Sequence, residues 1–342
     1  MLLKNVNIRI AISSKCNMNC LYCEGSDGFK PEKPGAMEDF RRKPLDEGEI
    51  DTKTLLHILK SFRTTGFEGL TLTGGEPLLR PDWDKLVKDA AGLGFKRIEI
   101  TTNGMLLEAY INKHGQLPKE LTKIKISLDT VDPDHFRKLT RGGDFNKIIL
   151  ALNKLDKQVP LRANKVLLKS ELPYLPEYIS ECEKMGFSEI SLLDLVYYSN
   201  RGNDEEKRFF QKEFVSFQEI EHFFKKKLQN SFTEGHKYGH ALVLPSGMKI
   251  VMKDSDVAVR DKNCLKCPVY CQEGIYTVRI ATDGNITYCP DYKGELPSID
   301  GPAELASGTL DKKTAWLAQK ISRAKKIDSF EEYAKKHAIN FE

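Results

Sequence analysis

The stretch VNIRIAISSKCNMNCLYC, residues 6–23, decides the fold class and the chemistry of this 342-residue chain. Its first part, residues 6–13, alternates apolar and polar side chains, which predicts a strand. Cys16, Cys20 and Cys23 follow this strand with the spacing C-x3-C-x2-C. Thiolates suit iron–sulfur clusters, and three of them leave one iron of a 4Fe–4S cube open to a cofactor or substrate.

Two other kinds of site compete with an open cluster. A structural zinc site takes four protein ligands, and no fourth Cys or His lies near these three in the sequence. A ferredoxin-like electron carrier normally supplies four cysteines for each cluster. The three-cysteine pattern therefore favours a catalytic 4Fe–4S site.

Strands and helices alternate outward from this stretch over the first two hundred residues. The patterns predict strands at 6–13, 68–73, 97–102, 122–128, 160–168 and 189–198, and helices at 47–64, 82–93, 133–157, 175–186 and 206–230. The third crossover, residues 105–121, has only a weak helical pattern. These βα repeats predict an α/β fold with a parallel sheet flanked by helices, either barrel-like or doubly wound.

Glycine and polar residues follow the strands at the end where parallel sheets carry their working groups. Gly74, Gly75 and Glu76 end the second strand. Glycine lets the backbone approach a ligand closely, and a glutamate accepts a hydrogen bond from an ammonium group. Later strands end in further polar side chains, at Thr102, Ser127, Asp129 and Asn164. These polar residues suit a ligand contact or a helix cap.

The pattern changes after about residue 230. Short strands are predicted within 241–252 and 275–289, and a helix near 311–338. The strands surround a second group of cysteines, Cys264, Cys267, Cys271 and Cys289. An Asp-Gly turn at 283–284 would fold the last of them back toward the others. Their spacing alone fits a four-cysteine zinc knuckle and an iron–sulfur cluster equally.

The first cysteine group and the motifs around it resemble the radical SAM superfamily, whose members cleave S-adenosylmethionine (SAM). The sequences TGGEPLLR (73–80), TTNG (101–104), KISLDTVDPDHFRKLT (125–140) and ANKVLL (163–168) are similar to the GTP 3′,8-cyclase subfamily of molybdenum-cofactor biosynthesis. This resemblance implies a partial (β/α)6 TIM barrel over residues 1–230. It also implies an auxiliary 4Fe–4S cluster of the SPASM/Twitch type over 231–300, followed by a C-terminal helix within 301–342.

The resemblance also implies roles for individual residues. Tyr22 would adjoin the adenine of SAM, and the loop of Gly74, Gly75 and Glu76 would bind its amino group. Thr102, Ser127, Asp129 and Asn164 would hold its carboxylate and ribose hydroxyls. Substrate would meet Arg9, Arg162 and Arg279.

The chain departs from the cyclase pattern in the part that meets the nucleotide. Cys271 adds a ligand that the cyclase lacks, which would close the auxiliary cluster to substrate. Thr71 stands where the cyclase has an arginine, and Arg279 is the one arginine left of an Asn-Arg-x-Arg motif. Since arginine suits bidentate contact with phosphate, these losses weaken a triphosphate site. The sequence therefore predicts a relative of the cyclase that acts on a different small molecule.

Three function classes remain open on the sequence. The favoured class is a small-molecule biosynthetic enzyme, with the GTP cyclase itself as an alternative. A peptide-modifying enzyme is a second class; such enzymes often carry a peptide-binding domain before the barrel, for which the position of Cys16 leaves no room. A non-enzymatic iron–sulfur electron carrier is the third.

Composition sets the expected surroundings. A net charge of +4 is small for this length and does not suggest nucleic-acid binding. The sequence has no signal peptide and no apolar run long enough to span a membrane. We therefore expect a soluble, cytoplasmic enzyme that receives electrons from a reductant such as flavodoxin or ferredoxin.

Overall fold

Six parallel strands form the centre of the fold. They are β1 (Asn7–Ala11), β2 (Gly69–Thr73), β3 (Arg97–Thr102), β4 (Lys123–Ser127), β5 (Leu161–Val166) and β6 (Glu189–Leu193). Each pairs in parallel with the next in chain order. The predicted parallel sheet is confirmed; the sixth strand runs to Leu193, and residues 194 and 196–198 of its predicted range lie outside the described residues.

This computed structural model describes most of the chain. The described residues are 3–20, 48–155, 159–193, 195, 204–228, 233–236, 239–253, 259–260, 275, 277–288, 298–323 and 325–326.

Helices cover one face of the sheet. They are α1 (Thr52–Thr64), α2 (Trp83–Gly92), α3 (Leu107–His114), α4 (Pro133–Thr140), α5 (Phe145–Lys154), α6 (Leu175–Lys184), α7 (Asp204–Glu213) and α8 (Phe217–Phe223). The third crossover, whose residues show only a weak helical pattern, is helical as α3.

Two helices predicted as continuous are each broken in two. Arg141 adopts a left-handed φ of 50° and ends α4, and two glycines follow before α5 begins. Ser216 begins α8 with a capping box, in which its side chain and that of Glu219 satisfy each other's backbone N–H groups. Local backbone chemistry thus overrides the helical period at both places.

The C-terminal half extends the same sheet at both edges. Its strands are β7 (Thr233–His236), β8 (Gly239–Val243), β9 (Lys249–Lys253), β10 (Val259–Arg260), β11 (Thr277–Ile280), β12 (Asn285–Thr287), β13 (Ile299–Asp300) and β14 (Lys325–Lys326). β9 pairs in parallel with β6, and β11 pairs in parallel with β1. In the described part of the chain the sheet order is β13-β12-β11-β1-β2-β3-β4-β5-β6-β9-β8-β7.

Two further helices, α9 (Gly301–Ala306) and α10 (Leu310–Ser322), lie beside α1. The Ser61 hydroxyl on α1 is hydrogen-bonded to Asp311 and, at 2.7 Å, to the Thr314 hydroxyl on α10. The predicted last helix is therefore present from Leu310 to Ser322, and residues 327–342 lie outside the described residues.

The two faces of the sheet differ in chemistry because neighbouring residues of a strand point to opposite faces. The face toward the helices is apolar and fully buried, with Ile8, Ile10, Leu70, Leu72, Ile98, Ile100, Ile124 and Ile126 in one core. The alternate residues line the barrel interior and are largely polar, including Arg9, Thr71, Glu99, Lys125, Arg162 and Asn164. Among the described residues, no helix is both long and apolar enough to cross a membrane.

Candidate active site

The loop after β1 carries the first two predicted cluster ligands. Cys16 and Cys20 are half-buried and pack against the edge of the core. Cys23 and Tyr22 lie outside the described residues, as do Cys264, Cys267, Cys271 and Cys289. Two thiols on one short loop, with a third cysteine three positions on, are a donor set that fits an iron–sulfur cluster.

The Gly74-Gly75-Glu76 loop sits directly on this cysteine loop. The Gly75 N–H donates to Ser13 O at 2.7 Å, and the Glu76 N–H donates to Lys15 O at 2.6 Å. A Cβ on Gly74 would lie 2.3 Å from Ser13 O, and one on Gly75 would lie 2.1 Å from Lys15 O. These glycines permit a close approach to the backbone of residues 13–15, and their predicted contact with a ligand stays a prediction.

A buried arginine clamps the start of the cysteine loop. Arg80 donates from Nη1 to Ile12 O at 3.1 Å, from Nη2 to the Thr52 hydroxyl at 2.8 Å and from Nε to Asp82 Oδ1 at 2.8 Å. Its side chain is almost fully buried. The sequence contains Arg80 at the end of TGGEPLLR, but its role depends on the folding of β1 against β2.

The carboxylate of Glu49, which follows the cysteine loop in the sequence, also holds the start of that loop. Glu49 Oε1 accepts hydrogen bonds from the Ser14 backbone N–H at 2.6 Å and from the Ser14 hydroxyl at 2.7 Å. The backbone ahead of Cys16 is thereby fixed before any metal binds. Nothing in the local sequence pattern pointed to Glu49.

Glu76 is a buried carboxylate that accepts three hydrogen bonds. They come from the Thr102 hydroxyl at 2.6 Å, the Asn103 N–H at 2.8 Å and the Leu78 N–H at 3.1 Å. The Thr102 hydroxyl thus gives its proton to Glu76, and its contact with a cofactor stays a prediction. The ammonium-binding role of Glu76 stays a prediction. Burial raises the pKa of Glu76 to about 7.

This raised pKa predicts a pH dependence of stability. Because the folded protein holds the Glu76 proton more tightly than the unfolded chain, stability is highest below the unfolded pKa of about 4.5 and falls as pH rises toward 7. The loss is about 3 kcal/mol, from 1.36 kcal/mol for each pKa unit. Urea unfolding at pH 5, 6, 7 and 8 gives the free energy of unfolding at each pH. The slope of this free energy against pH should be shallower in Glu76→Gln, by the contribution of about one proton.

A second carboxyl variant provides the control for this measurement. Glu68→Gln removes a carboxyl whose pKa is lowered by its bond to Lys96 and which does not titrate in this range. Its slope should match that of the wild type. A Glu76→Gln slope equal to that of the wild type would show that Glu76 is ionised throughout this range.

The ends of β4 and β5 bring three of the predicted residues together. Ser127 and Asn164 are partners in the parallel register and share the interior face. Asp129 Oδ1 accepts a hydrogen bond from the Val166 N–H at 2.7 Å and so links the two strand ends. Ser127 and Asn164 are placed to contact a ligand at the barrel mouth, whereas one oxygen of Asp129 already serves the sheet.

Two of the three predicted substrate arginines are neighbours. Arg9 on β1 and Arg279 on β11 are direct partners in the parallel register, so their side chains leave the same face side by side. Arg9 Nη2 also donates to the Thr73 hydroxyl at 3.4 Å.

The third arginine lies across the barrel and is already ion-paired. The Arg162 guanidinium donates from both Nε and Nη2 to Glu189 Oε1, the Nε bond being 2.7 Å. Glu189 Oε2 accepts from Lys123 Nζ at 2.5 Å. Arg162 is therefore neutralised by an ion pair within the barrel.

A second ion pair, which was not predicted from the sequence, lines the barrel interior. Lys125 Nζ pairs with Glu99 Oε2, which also accepts from the Thr71 hydroxyl at 3.1 Å and from Asn7 Nδ2 at 3.2 Å. Burial opposes ionisation of Glu99, but the Lys125 ammonium outweighs it and lowers the pKa of Glu99 to about 2. Burial and the nearby Arg162 and Arg9 lower the pKa of Lys125 to about 8. The charges alternating with isoleucines in β4 were the sequence signal for this pair.

Known proteins are similar to this chain over its barrel. Residues 10–182 match the radical SAM superfamily. A probable GTP 3′,8-cyclase of Methanococcus maripaludis is 32% identical over 53% of this chain and 56% of its own length. A probable GTP 3′,8-cyclase of Archaeoglobus fulgidus is 26% identical over 89% of this chain and 93% of its own length. The aligned part thus spans about half of the first relative and nearly all of the second.

Solved structures share the fold. Streptococcus suis SuiB bound to precursor peptide SuiA superposes with a TM-score of 0.58 at 16% identity, over 91% of this chain and 65% of SuiB. Native anSMEcpe with bound AdoMet superposes with a TM-score of 0.50 at 15% identity, over 98% of this chain and 96% of its own. The predicted partial barrel is confirmed by these likenesses, and with the match of residues 10–182 they lead to one conclusion: the chain belongs to the radical SAM superfamily of enzymes.

Proposed function

We propose that this protein cleaves SAM reductively and uses the resulting 5′-deoxyadenosyl radical to abstract hydrogen from a small anionic biosynthetic substrate. The superfamily implies a 4Fe–4S cluster and SAM. When bound, the cluster supplies the electron that separates SAM into methionine and the radical. The protein's own residues then have to position the substrate and exclude water.

In this proposal the cluster and SAM lie at the barrel mouth. In this proposal Cys16, Cys20 and Cys23 hold three irons, and the loop that begins at Gly74 contacts the methionine part of SAM. Support comes from the backbone hydrogen bonds that join this loop to residues 13–15. These bonds hold the two loops against each other. Ser127 and Asn164, on the adjacent strand ends, would meet the carboxylate and ribose of SAM.

The observation that carries the substrate class is the register pairing of Arg9 with Arg279. It puts two guanidinium groups side by side on the interior face, which favours an anionic substrate. Arg162 is paired with Glu189 and has a positioning role in this proposal.

The auxiliary cluster is part of the proposal. Cys264, Cys267, Cys271 and Cys289 would hold a closed 4Fe–4S cluster that assists by accepting or relaying an electron. Support comes from β11 and β12, which form an antiparallel hairpin around Gly284, as the Asp-Gly turn predicted. The hairpin lies beside β1, so Cys289, two residues beyond it, follows a segment fixed to the barrel. The four cysteines themselves lie outside the described residues.

The second candidate function is GTP 3′,8-cyclization. The two archaeal relatives carry that name, which favours it. Thr71 lies on the interior face between Asn7 and Glu99 and is bonded to both, so the arginine of the cyclase pattern is replaced there by a neutral hydrogen-bonded side chain. In either case we expect flavodoxin or ferredoxin as reductant, no nucleic-acid partner, and the cytoplasm as location.

Quantifying 5′-deoxyadenosine tests the proposal. The protein is reconstituted anaerobically with iron and sulfide and given SAM and dithionite, with and without GTP. We expect slow 5′-deoxyadenosine formation that GTP leaves unchanged and that Cys16→Ala abolishes. If the wild type formed no more 5′-deoxyadenosine than Cys16→Ala, the proposed SAM cleavage would be wrong. The alternative of an iron–sulfur electron carrier would then be favoured. Strong stimulation with consumption of GTP would establish the cyclase instead.

A further inference from the structure

Two buried asparagine amides are joined to each other beside Cys16, and one of them contacts its sulfur. Asn103, the residue that follows β3, places Nδ2 at 3.9 Å from Cys16 Sγ and at 2.6 Å from Asn17 Oδ1. The exposed fraction is 8% for Asn103 and 5% for Asn17. Both amides are therefore out of contact with bulk water, where the environment strengthens any hydrogen bond that they make.

The hydrogen bonds fix which way both amides point. Asn103 Oδ1 accepts from the Met105 N–H at 3.0 Å, so its NH2 group must face Cys16 and Asn17. Asn17 must then present its oxygen to Asn103, and its own NH2 group points elsewhere. That NH2 group is buried and has no hydrogen-bond partner among the described residues.

A buried donor without an acceptor costs about 1–3 kcal/mol, so its presence calls for an explanation. The loop does not need it for its shape, since Ser13, Ser14 and Lys15 already fix the backbone through the bonds described above. Asn17 lies between Cys16 and Cys20, where the acceptors of a loaded site are sulfur atoms. N–H groups aimed at cluster sulfur are one of the means by which proteins set a reduction potential.

We propose that the Asn17–Asn103 amide pair donates N–H···S hydrogen bonds to Cys16 and the adjoining cluster sulfur, and thereby raises the reduction potential of the cluster. This inference rests on the proposed cluster at Cys16, Cys20 and Cys23. Its physical basis is charge. Reduction adds one negative charge to the cluster, and donors that point at its sulfur atoms stabilise the more negative state. Removing a donor disfavours reduction.

The test is a redox titration of the reconstituted full-length protein followed by electron paramagnetic resonance. Asn103→Ala removes the donor that touches Cys16 Sγ. We expect the equilibrium constant for reduction to fall about tenfold, which is about 59 mV for one electron. Asn17→Leu replaces the unpaired amide with an apolar group of similar size and should lower the potential in the same direction. Iron and sulfide content are measured in every sample.

A buried variant elsewhere controls for general destabilisation. Thr314→Val alters a fully buried hydroxyl on α10, far along the chain from the cysteine loop, and should leave the potential unchanged. A potential equal to that of the wild type in cluster-loaded Asn103→Ala and Asn17→Leu would overturn the inference. So would loss of the cluster from both variants with retention in Thr314→Val, since the pair would then hold the loop rather than tune the cluster. A wild-type protein that binds no cluster would instead contradict the proposed function.

Discussion

Gly75→Ala is expected to lose about 3 kcal/mol or more of its free energy of unfolding and to bind little iron on reconstitution. The new Cβ would lie 2.1 Å from Lys15 O and 2.5 Å from the carbonyl carbon of the same residue. Both are backbone atoms, so no side-chain rotation relieves the clash. The two loops must separate, and Cys16 is the residue that follows the displaced carbonyl. Urea unfolding and iron content measure the two effects.

Gly92→Ala is the matched control for this substitution. Gly92 is the last residue of α2, and a Cβ there would meet no atom within 4 Å. Alanine is favoured over glycine in a helix by up to about 1 kcal/mol, so this variant should be as stable as the wild type or slightly more so. If Gly75→Ala unfolded at the same urea concentration as Gly92→Ala and bound as much iron, the contact between the two loops would be looser than the structure shows.

Glu99→Gln is expected to destabilise the protein by about 3–5 kcal/mol at neutral pH. The substitution leaves the Lys125 ammonium in the barrel interior near Arg162 and Arg9, without its counter-charge. Adding Lys125→Met removes the stranded charge, so the double variant should recover most of the loss. The wild-type pair should also weaken as pH falls from about 4.5 toward 2, because the lowered pKa of Glu99 stabilises the fold only while the carboxylate is ionised.

An exposed ion pair shows what burial contributes. Lys85 and Asp89 are joined at 2.5 Å on α2, and the lysine side chain is 65% exposed. Asp89→Asn should change stability by less than about 1 kcal/mol. Urea unfolding of the wild type and these three variants gives the comparison, and a Glu99→Gln effect as small as that of Asp89→Asn would mean that water reaches and screens the interior pair.

The strands were predictable from the sequence because their signal is local. The predicted bounds of the first five strands agree with the structure to within two residues at each end, since apolar alternation and flanking glycines act over a few positions. The breaks at Arg141 and before Ser216 were missed because one left-handed residue or one cap ends a helix without changing the apolar period. The short helix α3 was missed because no side chain caps its start.

The candidate site was predictable where one motif carries the chemistry and not where distant segments meet. The cysteine loop and the Gly74–Glu76 turn were identified from their own residues. Arg80, Glu49 and the amide of Asn103 act on the cysteine loop from other elements, so their roles exist only after the strands have paired. The pairing of Arg9 with Arg279 joins two elements that no local pattern relates.

That pairing also bears on how the protein reaches its native state during synthesis. Thr277 Oγ1 donates to Asn7 O at 2.7 Å, across 270 positions of the chain. Until β11 and β9 are made, β1 and β6 each have one edge without a partner, and such edges readily pair with other chains. Contacts of such wide sequence separation form slowly. While the chain is still on the ribosome, the barrel therefore has two aggregation-prone edges, which β9 and β11 later cover. Until these strands are synthesised, we expect chaperones or rapid completion of the chain to limit aggregation.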